Sequence, residues 1–141
     1  MPDSLPLIDA TTAERLQDAA QKAAANAYAP YSRFRVGAAL LFDDGFIATG
    51  CNVENMSYGL TSCAERNALF SAIGERGAHH KIVAIAVINL NDAPSPPCGA
   101  CRQVLSEFVA DNAVVYFPGD NGLESRFFTE LFPFAFHLDA E

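Results

Sequence analysis

Two short runs of this chain carry side chains that do chemistry together. Cys63-Ala64-Glu65 supplies a thiol and a carboxylate, and Pro97-Cys98-Gly99-Ala100-Cys101 supplies two more thiols. Three thiolates, with a carboxylate that need not be a ligand, are the inventory for one zinc ion with an open fourth position and a proton carrier beside it. The gap between Cys98 and Cys101 has the knuckle spacing common in zinc sites. Arg66 follows Glu65 directly. Three thiolates outweigh the charge of Zn²⁺, which weakens the metal as a Lewis acid. A guanidinium donating to cysteine sulfur offsets that excess.

Other readings of the same residues compete. Cys98-Gly99-Ala100-Cys101 also has the form of a redox pair at a helix start. That reading leaves Cys63 and Glu65 without a role. Cys51 would be the fourth ligand of a closed four-cysteine zinc site, but closed sites usually combine two closely spaced pairs. Cys51 is separated from Cys63 by a strand end and a loop, so it reads better as a core cysteine. Glu65 alone would be an ordinary first-turn glutamate favoured by the helix dipole, and Arg66 alone a surface ion-pair partner.

Such a set works only if the elements carrying it converge. Cys63 to Glu75 reads as a helix with Ala64, Ala68, Leu69 and Ala72 inward, and a second helix opens at Cys98 and runs to about Ala110. Both cysteine runs therefore fall at helix N-termini, where unpaired N–H groups and the dipole stabilise thiolates. Thr11 and Glu14 suggest a capping box for a first helix reaching Ala27, with Leu16, Ala19, Ala20, Ala23, Ala24 and Ala27 on its apolar face and Pro30 ending it. Phe34 to Phe42 and Phe46 to Val53 are β-prone runs joined by Asp43-Asp44-Gly45, a hairpin signal. Ile82 to Ile88 is an uninterrupted apolar run, the mark of a sheet centre covered on both faces. Val114 to Phe117 is a further strand, and a last helix spans Arg126 to Phe132. This order implies a mixed sheet with helices on both sides.

Composition narrows the partners. The chain has 141 residues, which predicts one domain over 1–141, with 1–10 as a flexible N-terminus. Its net charge of −8 and the absence of any basic run argue against nucleic acid and favour a small uncharged substrate. The first ten residues have neither a basic start nor an apolar core, and no apolar run approaches membrane-spanning length. The expectation is a cytoplasmic protein with no membrane contact, its 4 cysteines reduced. Half of the residues are hydrophobic, and phenylalanines crowd the tail from Phe127 to Phe136, which points to surface covered by another chain.

Beyond the cysteines, the sequence closely resembles the short, single-domain, homotetrameric cytidine deaminases. The likeness runs through Tyr28-Ala29-Pro30-Tyr31-Ser32-Arg33-Phe34, Val36-Gly37-Ala38-Ala39-Leu40 and Gly50-Cys51-Asn52-Val53-Glu54-Asn55. It continues in Cys63-Ala64-Glu65-Arg66 and Pro97-Cys98-Gly99-Ala100-Cys101-Arg102-Gln103, and ends near Leu131-Phe132-Pro133. The resemblance implies a three-layer α/β/α sandwich around a mixed five-stranded sheet. It implies one zinc per chain on Cys63, Cys98 and Cys101, Glu65 as the proton carrier, and Arg66 donating to the sulfurs. Phe34 is the implied wall against the pyrimidine, and Asn52 with Glu54 the pair on the ribose hydroxyls. Taken alone, those two would read as loop polarity. Tyr58 and Phe136 are the implied residues reaching a neighbouring subunit's site, with Phe134 the other candidate in the tail. The implied reaction is hydrolytic deamination of cytidine and 2′-deoxycytidine, serving pyrimidine salvage. A blasticidin S deaminase of the same fold, or a non-catalytic zinc-stabilised module, are the competing readings.

Overall fold

The computed structural model describes residues 8–139. Helix α1 (Ala10–Ala24) precedes the hairpin β1 (Val36–Phe42) and β2 (Ile47–Cys51), and a single 3₁₀ turn at Tyr58–Leu60 leads to α2 (Ala64–Arg76). Then follow β3 (Ile82–Asn89), α3 (Gly99–Leu105), β4 (Val109–Gly119), β5 (Gly122–Phe127) and the short α4 (Phe128–Leu131). The 5 strands form one sheet in the order β2-β1-β3-β4-β5. Strands β3 and β4 pair in parallel and the other neighbours antiparallel, so the sheet is mixed.

Alternation along the strands divides the core in two. Ala39, Leu41, Ala84, Ala86 and Val114 face α1, where Leu16 and Ala20 pack against them. Leu40, Ile85, Val87 and Val115 face the other way, onto Ala68, Leu69 and Ala72 of α2 and Leu105 of α3. Small residues line the α1 side and larger ones the α2 side. The expected three-layer α/β/α arrangement is what forms.

Helix α1 starts earlier than expected. Asp9 is its N-cap, accepting from the Thr12 amide at 2.7 Å, so the Thr11/Glu14 capping box is not used. Asp9 and Ala10 thus belong to the helix start and Ile8 packs against the core beside it; 1–7 of the expected flexible segment lie outside the described residues. The helix stops at Ala24 rather than Ala27. Its close approach depends on Gly37, where a Cβ would lie 1.9 Å from the Ala20 carbonyl oxygen.

Two further boundaries differ from the sequence reading. Helix α3 ends at Leu105, because Ile82 on β3 pairs with Val109 and draws the chain into strand five residues before Val114. Between those pairings the register breaks, so Asp111 and Asn112 bulge out exposed before Ala84 meets Val114. Arg126 belongs to β5, not to the last helix, which is a single turn whose first amide is met by the Glu130 carboxylate at 2.9 Å. Gly119 pairs with Gly122 across a tight turn in which Gly122 has φ 107°. The Asn121-Gly122 dipeptide is a hairpin signal of the same kind as Asp44-Gly45.

Candidate active site

The site is assembled where α2 and α3 begin. Cys63 and Cys98 are the N-caps of these helices, each in extended backbone, so both side chains stand at the helix entries. Gly50 sets the depth of α2: a Cβ there would fall 2.5 Å from the Ala68 nitrogen and 2.7 Å from the Ala64 oxygen. Asn67, one turn into α2, reaches back to the approach of Cys63. Its amide donates to the Cys51 carbonyl at 2.8 Å and accepts from the Ser62 hydroxyl at 2.6 Å. Arg102 does the equivalent for α3, its Nε donating to the Pro97 carbonyl and an Nη to the Leu131 carbonyl, both at 2.7 Å. Neither Asn67 nor Arg102 was marked by spacing; each is an ordinary polar residue until the fold puts a loop carbonyl beside it.

The sulfurs of Cys63, Cys98 and Cys101 all lie within 4.8 Å of one another, and Cys63 and Cys98 are 3.8 Å apart. Sulfurs at about 2.3 Å from one tetrahedral ion sit about 3.8 Å apart, so the donor set fits zinc. The Cys101 amide points at the Cys98 sulfur at 3.4 Å, and an Arg66 Nη donates to the Cys63 sulfur at 3.3 Å. The Nε of Arg66 is buried without a hydrogen-bond partner, so the guanidinium is paired through the Nη that donates to the Cys63 sulfur. The Cys63 thiol is lowered to about 5, chiefly by the hydrogen bond from Cys101, with Arg66 adding to it against the cost of burial. The same bond, with burial, pushes the Cys101 thiol up. One proton shared by closely spaced thiols is what a cation would displace. Cys51 stands apart from the cluster, its carbonyl taken by Asn67.

Glu65 is 4% exposed beside this cluster. Burial raises its pKa, and the charge of Cys63 adds to the effect, while Cys101 and Arg66 act in the opposite sense. A carboxyl raised in this way holds a proton more readily than an exposed one, which suits a group that must take a proton and give it back. It faces a cavity of about 190 Å³ whose walls include Phe34, Asn52, Thr61, Cys63, Ser95 and Cys98.

Other expected site residues are placed unequally. Phe34 and Asn52 line the cavity with Glu65. The Asn52 side chain accepts from the Val36 amide at 2.9 Å and donates to the Phe34 carbonyl at 2.7 Å, which keeps one donor proton and one lone pair available. Glu54 and Tyr58 line an adjoining surface hollow that shares Thr61 with the cavity. The Glu54 carboxylate accepts from the Tyr31 amide at 3.0 Å and from the Ser32 amide and hydroxyl, and the hydroxyl above all lowers its pKa. Tyr58 stands 75% exposed, edge-on to Tyr31 with ring centres 6.1 Å apart. Phe136 is exposed and not brought to this cavity, and Phe134 is fully exposed. Thr61, Ser95 and Pro96 also form the walls, and no spacing in the sequence signals them.

A carboxylate two residues after one helix-capping cysteine, converging with Pro-Cys-x-x-Cys at a second helix, defines the zinc-dependent deaminase class. Residues 10–117 match the family described as the cytidine and deoxycytidylate deaminase zinc-binding region. The chain belongs to this family. It is 51% identical to a cytidine deaminase of Halalkalibacterium halodurans, over 78% of this chain and 83% of that one. It is 46% identical to a cytidine deaminase of Mycobacterium tuberculosis, over 88% and 89% of the two chains. The crystal structure of cytidine deaminase from Burkholderia pseudomallei superposes with a TM-score of 0.79 at 45% identity, covering 87% of this chain and 98% of that one.

Proposed function

We propose that this protein is a zinc-dependent enzyme that hydrolyses the exocyclic amino group of cytidine and 2′-deoxycytidine, giving the uridine counterparts and ammonia. The observation that carries the reading is Glu65: a buried carboxyl with a raised pKa, set between the three-sulfur cluster and a cavity walled by Phe34. Zinc on Cys63, Cys98 and Cys101 would supply the Lewis acidity that activates water near neutral pH. Glu65 then takes the proton from the attacking water and delivers it to pyrimidine N3, which makes C4 electrophilic. It next moves the proton of the new C4 hydroxyl to the amino nitrogen, so that the C4–N bond breaks, ammonia leaves and C4 becomes the uridine carbonyl. Arg66 holds Cys63 oriented and balances the charge of the thiolates. Phe34 stacks on the base, while Asn52 and Glu54 hold the ribose hydroxyls. Products of this kind serve the salvage of pyrimidines.

We further propose that the chain works as one domain in a homotetramer, with no nucleic acid and no membrane as partner. A cavity of about 190 Å³ is smaller than most ligand sites, which start at about 300 Å³, and exposed Tyr58 lines the adjoining hollow that shares Thr61 with it. Tyr58 and Phe136 are the residues we assign to completing a neighbour's site. No helix among the described residues is long and apolar enough to cross a membrane. The reading predicts a mass near four times 15.1 kDa by light scattering; a stable, active monomer would contradict it. The activity is tested by absorbance assays on cytidine, deoxycytidine, free cytosine and blasticidin S, with and without chelator. Nucleosides are turned over and free cytosine is not; turnover of blasticidin S alone would overturn the assignment.

A further inference from the structure

Two asparagines outside the cavity hold both of its walls. Asn89, the last residue of β3, is 8% exposed, and its amide engages four groups of the loop that follows. Its Nδ2 donates to the Ala93 carbonyl at 2.7 Å and to the Ser95 hydroxyl at 2.8 Å. Its Oδ1 accepts from the amides of Asn91 at 2.9 Å and Ala93 at 3.3 Å. A side-chain amide offers two donors and two lone pairs, and here all are taken. Ser95, which this seats, lines the cavity next to Pro96, and its own amide donates to the Pro118 carbonyl on β4 at 2.9 Å.

Asn91 reaches a second part of the lining, the segment on either side of Phe34. Its Nδ2 donates to the Arg33 carbonyl at 3.0 Å, and its Oδ1 accepts from the Arg35 amide at 3.2 Å, one contact on each side of Phe34. The Leu90 amide adds a bond to the Arg35 carbonyl at 3.0 Å. Arg33 has φ 60°, a left-handed backbone that a residue with a Cβ keeps only when its surroundings over-determine it. The Asn91 bond to its carbonyl is one of those determinants.

We propose that Asn91, seated by Asn89, is a positioning residue that fixes the separation of the Phe34 wall from the Ser95–Pro96 wall, and so sets the fit of the pyrimidine ring. Neither asparagine lines the cavity or belongs to the cysteine cluster. The inference rests on the assignment of Phe34 to the base, and the experiment separates the two.

The zinc-loaded full chain is compared with Asn91→Ala, Phe34→Leu and the double variant in steady-state kinetics on cytidine. Asn91→Ala is expected to raise KM about tenfold, the scale of one lost aromatic contact, with kcat within about threefold and one zinc per chain retained. Phe34→Leu raises KM as well, and the double variant is no worse than the poorer single one, because both act on the same contact. An unchanged KM in Asn91→Ala, or effects that multiply in the double variant, overturns the bracket while leaving Phe34 in place. An unchanged KM in Phe34→Leu overturns the assignment of Phe34 and the bracket with it. If Asn91→Ala fails to fold, Asn91→Asp serves instead. It keeps the acceptor for the Arg35 amide, loses the donor to Arg33, and must show the same rise in KM.

Discussion

Replacing Gly50 by alanine tests whether sheet packing sets the chemistry. The backbone of Gly50 is not left-handed, so alanine meets no conformational penalty there and the effect is steric. The added Cβ falls 2.5 Å from the Ala68 nitrogen, about 0.9 Å short of the 3.4 Å at which ordinary contact begins. The atoms it meets, the Ala68 nitrogen and Cα and the Ala64 oxygen, are all backbone of α2, so no side chain can rotate away. The first turns of α2 must lift from β2 by most of that distance, taking Cys63 and Glu65 with them. Overpacking of this kind costs about 1–3 kcal/mol, or roughly 4 °C in melting temperature for each kcal/mol. A displacement near 1 Å at a reacting group costs about a hundredfold in rate. Thermal unfolding, zinc per chain and kcat/KM on cytidine are measured together. Wild-type stability would refute the packing argument. A lowered melting temperature with unchanged kcat/KM would refute the link between the Gly50 contact and the placement of Glu65.

Gly74→Ala is the matching control, since Gly74 lies inside α2 with nothing near its missing Cβ; the melting temperature should rise by the equivalent of about 1 kcal/mol without loss of activity. Arg66→Ala removes the guanidinium from the Cys63 sulfur, so zinc should be lost at a lower chelator concentration, read by metal analysis after dialysis. At the β1–β2 turn, the hydrogen bond from Arg76, with help from the Phe46 amide, holds the Asp44 carboxyl below its ordinary 3.8. A depressed folded-state pKa contributes stability above 3.8 that is lost as pH falls through it. Asp44→Asn should therefore melt below wild type near neutrality, with the gap closing on acidification below 3.8. A gap that widened on acidification would contradict the assignment.

How much was legible in the sequence follows the range of the forces involved. The cysteines and Glu65 could be read because a helix N-terminus fixes where residues two and three places after its cap will point, so local spacing carries the geometry. The apolar run at Ile82 to Ile88 announced a central strand because burial on both faces leaves no polar positions. Strand β5 went unread, although Asn121-Gly122 marked its turn, because Gly122 to Phe127 is largely exposed and polar at the sheet edge. The end of α3 was set by Val109 pairing with Ile82, a contact distant along the chain. Asn91, Asn67 and Arg102 stayed hidden for the same reason: each acts on a carbonyl or amide distant along the chain that only folding brings to it. Phe34 and Asn52 reached the cavity, whereas Glu54 and Tyr58 came to its rim and Phe136 did not.

The most direct test is the release of ammonia from cytidine by zinc-loaded wild-type protein and by Glu65→Gln, measured side by side at one zinc per chain. Glutamine keeps the size of the side chain and removes its proton transfer. The account predicts steady release by wild type and a fall of about a hundredfold to ten-thousandfold in the variant, with zinc unchanged. Equal rates for the two, or no release from the zinc-loaded wild type, would contradict it.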